Sequence, residues 1–279
     1  RARPGQDRRG AGGGWGYRRE AAGGLARRGI EVTSSVFEHL SAVCRRRGAG
    51  YLTLLDPDRL DPDELDERAA LCAEAGADAI LIGTSLMFSA RNAACFERVR
   101  ARVDVPVISF PGSASQVVPT ADAILFLSLV SGRNPELLIG EHVKAAPLLR
   151  EYGVEAIPTG YMLVQSGTLT SVEFMSDTRP IPRAKVDIAM AHALAAEYLG
   201  MKLVYLETGS GADASVPDEM VRAVVGCVSV PVIVGGGIRD PETARAKVAA
   251  GASFVVTGSV VEDDHRRLRE ISEAVHGGV

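Results

Sequence analysis

Cysteine is scarce in this 279-residue chain, and the four present (Cys44, Cys72, Cys95 and Cys227) show no CxxC or other metal-ligand spacing. They fall in segments that read as helices, which argues against a zinc framework and for reduced, buried thiols in a cytoplasmic protein. The five histidines, His39, His142, His192, His265 and His276, all fall in helical or terminal stretches. Imidazole catalysis and His-ligated zinc are therefore poorly supported. Lysine occurs only at 144, 185, 202 and 247, and Lys202 precedes its strand at the wrong end for a Schiff-base nucleophile. No apolar run approaches the roughly 18 residues that span a bilayer, and the first 30 residues lack the apolar core of a signal peptide, so a soluble protein is expected.

Charge is unevenly placed. Residues 1–30 carry eight Arg against Asp7 and Glu20, a balance of +6, which leaves -10 for the remainder of a chain with net charge -4. An acidic body argues against nucleic-acid binding. The Gly- and Arg-rich leader (1–30) has no apolar period and is expected to be disordered, either solvated or touching an anionic membrane surface. With 46% apolar residues, residues 31–279 can bury one full core, and α/β barrels of this length commonly form one domain.

Eight short apolar runs alternate with helix-length segments: 51–55, 79–82, 105–110, 123–127, 155–164, 203–207, 231–235 and 253–257. Most lack polar alternation, as expected of parallel strands covered by helices. The phrase Ala-Gly-Ala-(Asp or Ser) recurs at 75–78 and 250–253, where a helix turns into a strand. Between Phe110 and Ala123 only a dozen residues are available, interrupted by Pro111, Gly112 and Pro119. A crossover helix hardly fits there. The expected fold is a modified (β/α)8 TIM barrel lacking helix 3, with a gap that can hold a long hydrocarbon; a shortened connection with no ligand is the bland alternative.

Three glycine-rich stops follow late strands: Tyr205-Leu-Glu-Thr-Gly-Ser-Gly-Ala212, Gly235-Gly-Gly-Ile-Arg239 and Thr257-Gly-Ser259. Glycine lets backbone N–H groups approach a phosphate closely, and the last loops of a barrel are where phosphate usually sits. Glu207, at a strand end before this cradle, is positioned to accept a proton from a ligand hydroxyl, with Tyr205 orienting the same ligand. A structural salt bridge from Glu207 to Arg239 is the alternative. Asp56, with Thr84 and Ser85 after the second strand, supplies hard oxygen ligands of the kind Mg²⁺ prefers on a diphosphate. Equally, Asp56 merely turns the chain and Asp58 caps the helix that starts near Asp61-Pro62.

Leu54-Leu-Asp-Pro-Asp58, Phe110-Pro-Gly112, Ser128-Leu-Val-Ser-Gly-Arg-Asn-Pro135, Pro158-Thr-Gly-Tyr161, Arg179-Pro-Ile-Pro182 and the two cradle motifs at 205–212 and 235–239 occur in order along the whole barrel. In this they resemble the geranylgeranylglyceryl phosphate synthases and their bacterial heptaprenyl relatives, over about residues 50–262. The resemblance implies a barrel without helix 3 and a Mg²⁺-dependent prenyltransferase that forms an ether. Carried across, Asp56 and Ser85 hold Mg²⁺ on the prenyl diphosphate. Tyr205, Glu207, Gly209 and Ser210 hold the phosphorylated three-carbon acceptor, and Gly235, Gly236, Arg239, Gly258 and Ser259 surround its phosphate. It also implies a homo-oligomer such as a dimer. The Arg- and Ala-rich composition suits a GC-rich bacterium and leans toward the branch that joins farnesyl diphosphate to 3-phosphoglycerate for moenomycin-type phosphoglycolipid antibiotics. There, Arg133 and Arg239 are candidate partners of the acceptor carboxylate. Glycerol 1-phosphate is the alternative acceptor. An isomerase or lyase with Asp56 and Glu207 as facing acid and base, and a non-catalytic binder of prenylated phosphates, are weaker readings.

Overall fold

A computed structural model describes residues 35–88, 91–258 and 265–277. The leader at 1–30 and Ser259 lie outside the described residues. Eight parallel strands close into a barrel in chain order. They are β1 (Gly50–Leu55), β2 (Ala79–Ile82), β3 (Val107–Ser109), β4 (Ala123–Leu129), β5 (Glu155–Leu163), β6 (Leu203–Glu207), β7 (Val232–Gly235) and β8 (Phe254–Thr257). All eight expected strands form. β8 pairs with β1 from Gly50↔Phe254 to Thr53↔Thr257, which removes the sheet's edges.

Helix α1 (Val36–Arg47) precedes the barrel; α2 (Pro62–Glu74), α3 (Asn92–Arg102), α4 (Glu141–Tyr152), α5 (Ser171–Ser176), α6 (Val186–Tyr198), α7 (Asp218–Cys227), α8 (Pro241–Ala249) and α9 (His265–His276) follow. Between β3 and β4 there is only a short 3₁₀ turn, Ala114–Gln116. The third crossover helix is absent, as the proline-interrupted spacing required. Helix α2 opens with Pro62 at its first turn, where the missing N–H is no loss. Its first-turn partner is Asp61, whose amide donates to Glu64 at 3.4 Å; Asp58 is not the cap.

The repeated Ala-Gly-Ala phrase has one physical meaning at both sites. Gly76 and Gly251 take φ of 105° and 100°, a region that favours glycine. The following N–H groups close back on the helix, Ala77 to the Cys72 carbonyl and Ala252 to the Lys247 carbonyl, each at 3.0 Å. The next residue then ties the strand bottoms together: the Asp78 carboxylate accepts from the Tyr51 N–H at 2.9 Å, and the Ser253 hydroxyl accepts from the Val232 N–H at 3.2 Å.

Apolar side chains occupy two layers. Leu52, Leu81, Ile108, Leu125, Ile157 and Ile233 fill the barrel interior, and Leu40 from α1 packs on this cluster with Phe37 beside it. The N-terminus of α1 is held by Glu155, at the start of β5, which accepts from the Val36 and Phe37 N–H groups at 2.6 and 3.2 Å. Carboxylate at a helix N-terminus satisfies orphan donors and opposes the helix dipole. Helix α1 therefore stoppers the bottom of the barrel, which leaves its C-terminal mouth open.

Candidate active site

That mouth holds one large cavity of about 900 Å³. Asp56 and Asp58 after β1, Thr84 and Ser85 after β2, Glu207 with the Gly209–Gly211 loop, Gly236 and Gly237, and Gly258 all line it. The same cavity runs on into an apolar groove past Phe126, Leu137, His142 and Ala145. It passes where the β3–β4 helix is missing.

Glu207 ends β6 and is buried, at 5% exposure. Its carboxylate accepts from the Gly209 N–H at 2.6 Å. Burial raises its pKa above the ordinary 4.5, opposed by the Gly209 amide, the neighbouring Tyr205 hydroxyl and the Thr208 amide. A carboxylate made more basic by desolvation, and held in place by a backbone donor, is suited to take a proton. Tyr205 stacks on Phe110 with ring centroids 5.5 Å apart and meets Tyr161 edge-on at 5.4 Å. Among the described residues its buried hydroxyl has no hydrogen-bond partner of good geometry. Burial first, and then the Glu207 charge, raise the pKa of both phenols well above 10, so both are neutral donors. A buried phenol next to a carboxylate, without a well-formed hydrogen bond of its own, can donate to a ligand oxygen.

The glycine cradle is built from two loops in contact. Gly209, Gly211, Gly236 and Gly237 all have positive φ, at 95°, 77°, 79° and 66°. A Cβ on Gly236 would stand 2.9 Å from the Gly209 nitrogen, and one on Gly237 would stand 2.7 Å from the Ser215 nitrogen. Only glycine allows this approach, and backbone amides of such loops form anion-binding concavities. Gly258 is different: a Cβ there would meet Leu54 at an ordinary 3.7 Å.

Gly235 ends β7 beside Glu207, and a Cβ there would collide with the Tyr205 hydroxyl and come within 2.8 Å of the Glu207 carboxylate, so its lack of a side chain makes room for both. Arg239 donates to the Ala212 and Gly211 carbonyls at 2.8 and 3.4 Å. It braces the β6 loop and neither pairs with Glu207 nor lines the cavity. Arg133 likewise turns to backbone, donating to the Gly132 carbonyl at 2.6 Å.

At the opposite side of the mouth, Asp56 accepts from the Asp58 N–H at 3.0 Å and faces Arg59 at 3.5 Å. Asp58 accepts from the Phe88 N–H at 2.8 Å through one oxygen. Its other oxygen is buried and has no hydrogen-bond partner among the described residues. Two carboxylates, one with an orphaned oxygen, beside the Thr84 and Ser85 hydroxyls make a hard-oxygen set that fits Mg²⁺. No cluster of three His, Cys, Asp or Glu occurs among the described residues, so a Mg²⁺ ion at these residues would need further ligands such as phosphate oxygens or water.

Reasoning from strand ends alone passed over three lining residues. Phe110 and Tyr161 were visible as motif members without a role. His142 projects from α4, where its Nε2 lies 3.0 Å from the Ser128 hydroxyl and its ring meets Phe126 edge-on at 4.4 Å. Burial lowers its pKa, which keeps the imidazole neutral. Its helical position concealed it, because only the absence of the third crossover helix brings α4 to the cavity wall.

A closed parallel barrel with a buried carboxylate under a glycine cradle, continuous with an apolar groove, defines an enzyme that handles a phosphorylated and partly hydrocarbon substrate. Comparison with known proteins gives the family. The profile of the PcrB family matches residues 41–275. Geranylgeranylglyceryl phosphate synthase of Methanopyrus kandleri is 48% identical over 232 residues, covering 83% of this chain and 96% of that protein. Its counterpart from Chitinophaga pinensis is 45% identical over 226 residues, covering 81% and 90%. The crystal structure of (S)-3-O-geranylgeranylglyceryl phosphate synthase from Thermoplasma acidophilum, in complex with sn-glycerol-1-phosphate, superposes with a TM-score of 0.83 at 37% identity, covering 88% and 99% of the two chains. The chain belongs to the PcrB family and is a prenyltransferase.

Proposed function

We propose that the protein transfers an allylic prenyl group from its diphosphate to a hydroxyl of glycerol 1-phosphate, with Mg²⁺ as cofactor. The observation that carries this reading is the buried Glu207 carboxylate in one cavity with both the glycine cradle and the apolar groove. The acceptor phosphate takes the amides of the Gly209–Gly211 and Gly236–Gly237 loops, Tyr205 donates to an acceptor oxygen, and the attacking hydroxyl faces Glu207. A carbon–oxygen bond forms at the allylic carbon as its bond to diphosphate breaks, and the hydroxyl proton passes to Glu207. The phenols and Phe110 keep bulk water from the developing allylic cation. Asp56 and Ser85, with Asp58 beside them, would hold Mg²⁺, which when bound neutralises the leaving diphosphate. The prenyl tail lies along Phe126, Leu137 and Ala145.

Glycerol 1-phosphate is favoured over 3-phosphoglycerate by the positions of Arg133 and Arg239, both committed to backbone carbonyls. Incubation with Mg²⁺, farnesyl or geranylgeranyl diphosphate and either acceptor, read by mass spectrometry, tests the proposal. Ether product with glycerol 1-phosphate is expected. Product only with 3-phosphoglycerate transfers the enzyme to phosphoglycolipid synthesis, and no product with either acceptor refutes the prenyl-transfer chemistry proposed for this site.

A further inference from the structure

Where a barrel lacks a crossover helix, the connection that replaces it has no helical hydrogen-bond ladder of its own to hold it. Here a buried amide ties it to the β2 loop. Gln116, at 2% exposure, accepts through Oε1 from the Gly112 N–H and donates through Nε2 to the Thr84 carbonyl, both at 3.1 Å. Its own carbonyl accepts from Asn92 of α3 at 3.0 Å. The two loops touch directly, since a Cβ on Gly112 would stand 2.7 Å from the Ser85 carbonyl oxygen and 2.8 Å from that of Thr84. On its far side the connection is tied to α4, where Glu141 accepts from the Ala114 N–H at 2.5 Å. Ala114 and Val117 wall the apolar groove, while Thr84 and Ser85 belong to the polar end of the cavity.

We propose that Gln116 is a positioning residue for the diphosphate end of the donor, its amide fixing the Thr84–Ser85 backbone and linking that loop to the wall of the tail groove. The proposal rests on the reading that this end binds Mg²⁺-diphosphate. The site requires one group that accepts at one end and donates at the other, which a carboxamide does and a carboxylate does not. A protonated carboxylic acid reproduces the pattern. Loss of the partner of the part-buried Thr84 carbonyl frees the loop to move.

The test titrates inorganic pyrophosphate with Mg²⁺, and separately glycerol 1-phosphate, into the wild type, Gln116→Met and Gln116→Glu, with hydrogen exchange across residues 83–88. Both substitutions are expected to weaken pyrophosphate binding about tenfold, the scale of one lost buried hydrogen bond. Glycerol 1-phosphate affinity should stay within about twofold, because its cradle lies on β6 and β7. Exchange at 83–88 should accelerate in both variants. Acidification should return Gln116→Glu toward the wild type measured at the same pH, an effect that general loss of packing would not produce. If Gln116→Met fails to fold, Gln116→Glu with its pH series carries the test. Equal pyrophosphate affinity in the wild type and a folded variant overturns the proposal, as does parallel loss of both ligands. A wild type that binds no Mg²⁺-pyrophosphate overturns the diphosphate site itself, and the positioning role with it.

Discussion

Replacing Glu207 by Gln separates the chemistry of this site from its architecture. The amide keeps an oxygen to accept from the Gly209 N–H, now 2.6 Å from the carboxylate, and fits the same volume. What it removes is the proton acceptor. A positioned general base contributes roughly 10²–10⁴-fold, so turnover should fall by about 10³, equivalent to ~4 kcal/mol in the barrier. Acceptor affinity should change little, because the phosphate is held by backbone amides. Stability should move the other way. Burial raises the Glu207 pKa above 4.5, so just above pH 4.5 the folded chain retains a proton that the unfolded chain has released. Wild-type stability therefore declines as pH rises from 4.5 through the folded-state value, and the Gln variant lacks that decline. Single-turnover kinetics with mass-spectrometric detection, alongside thermal melts from about pH 4 to 8, read both effects. Turnover within tenfold of wild type would refute the assignment of Glu207 as base, whatever the melts show.

Gly236→Ala places a methyl group against Glu207, Thr208 and the Gly209 nitrogen at a φ of 79°. It should cost about 1–3 kcal/mol of stability and raise KM for the acceptor at least about tenfold, measured by denaturant melts and steady-state kinetics. Arg239→Ala frees the Gly211 and Ala212 carbonyls that it now holds; acceptor KM should rise by roughly fivefold to thirtyfold while donor KM stays constant. Asp56→Asn removes one anionic oxygen from the set proposed for Mg²⁺. The cation concentration for half-maximal activity should rise about 10-fold or more, and a Mg²⁺ titration at saturating substrates would contradict that role if the curve did not move.

Much of the fold was legible because barrel strands carry a strong local signal. Runs such as Ala79–Ile82 and Leu203–Glu207 are apolar on both faces, and the structure places both with those bounds. The missing helix was legible from the spacing of Phe110, Pro111, Gly112, Pro119 and Ala123, since proline interrupts the helical hydrogen-bond ladder regardless of tertiary context. Helix α1 as a stopper was not, because its anchor, Glu155, lies more than a hundred residues away at the start of β5. Nor was the role of Gln116, one of several polar residues in its loop until the fold closes Thr84 and Gly112 around it.

The same boundary runs through the site. By itself the sequence determined that Glu207 ends a strand before a glycine loop, and that a second such loop follows the next strand; strand period and glycine's conformational freedom are local properties. Only the tertiary structure decided what each of these glycines meets. A Cβ on Gly235 would meet the Tyr205 hydroxyl and the Glu207 carboxylate, and one on Gly236 would meet the same carboxylate and the Gly209 nitrogen, because closing the barrel sets the ends of β6 and β7 side by side. Arg239 follows the same rule: its guanidinium is drawn to the carbonyls that the β6 loop turns toward it, and where those carbonyls point is set by the closure of the barrel.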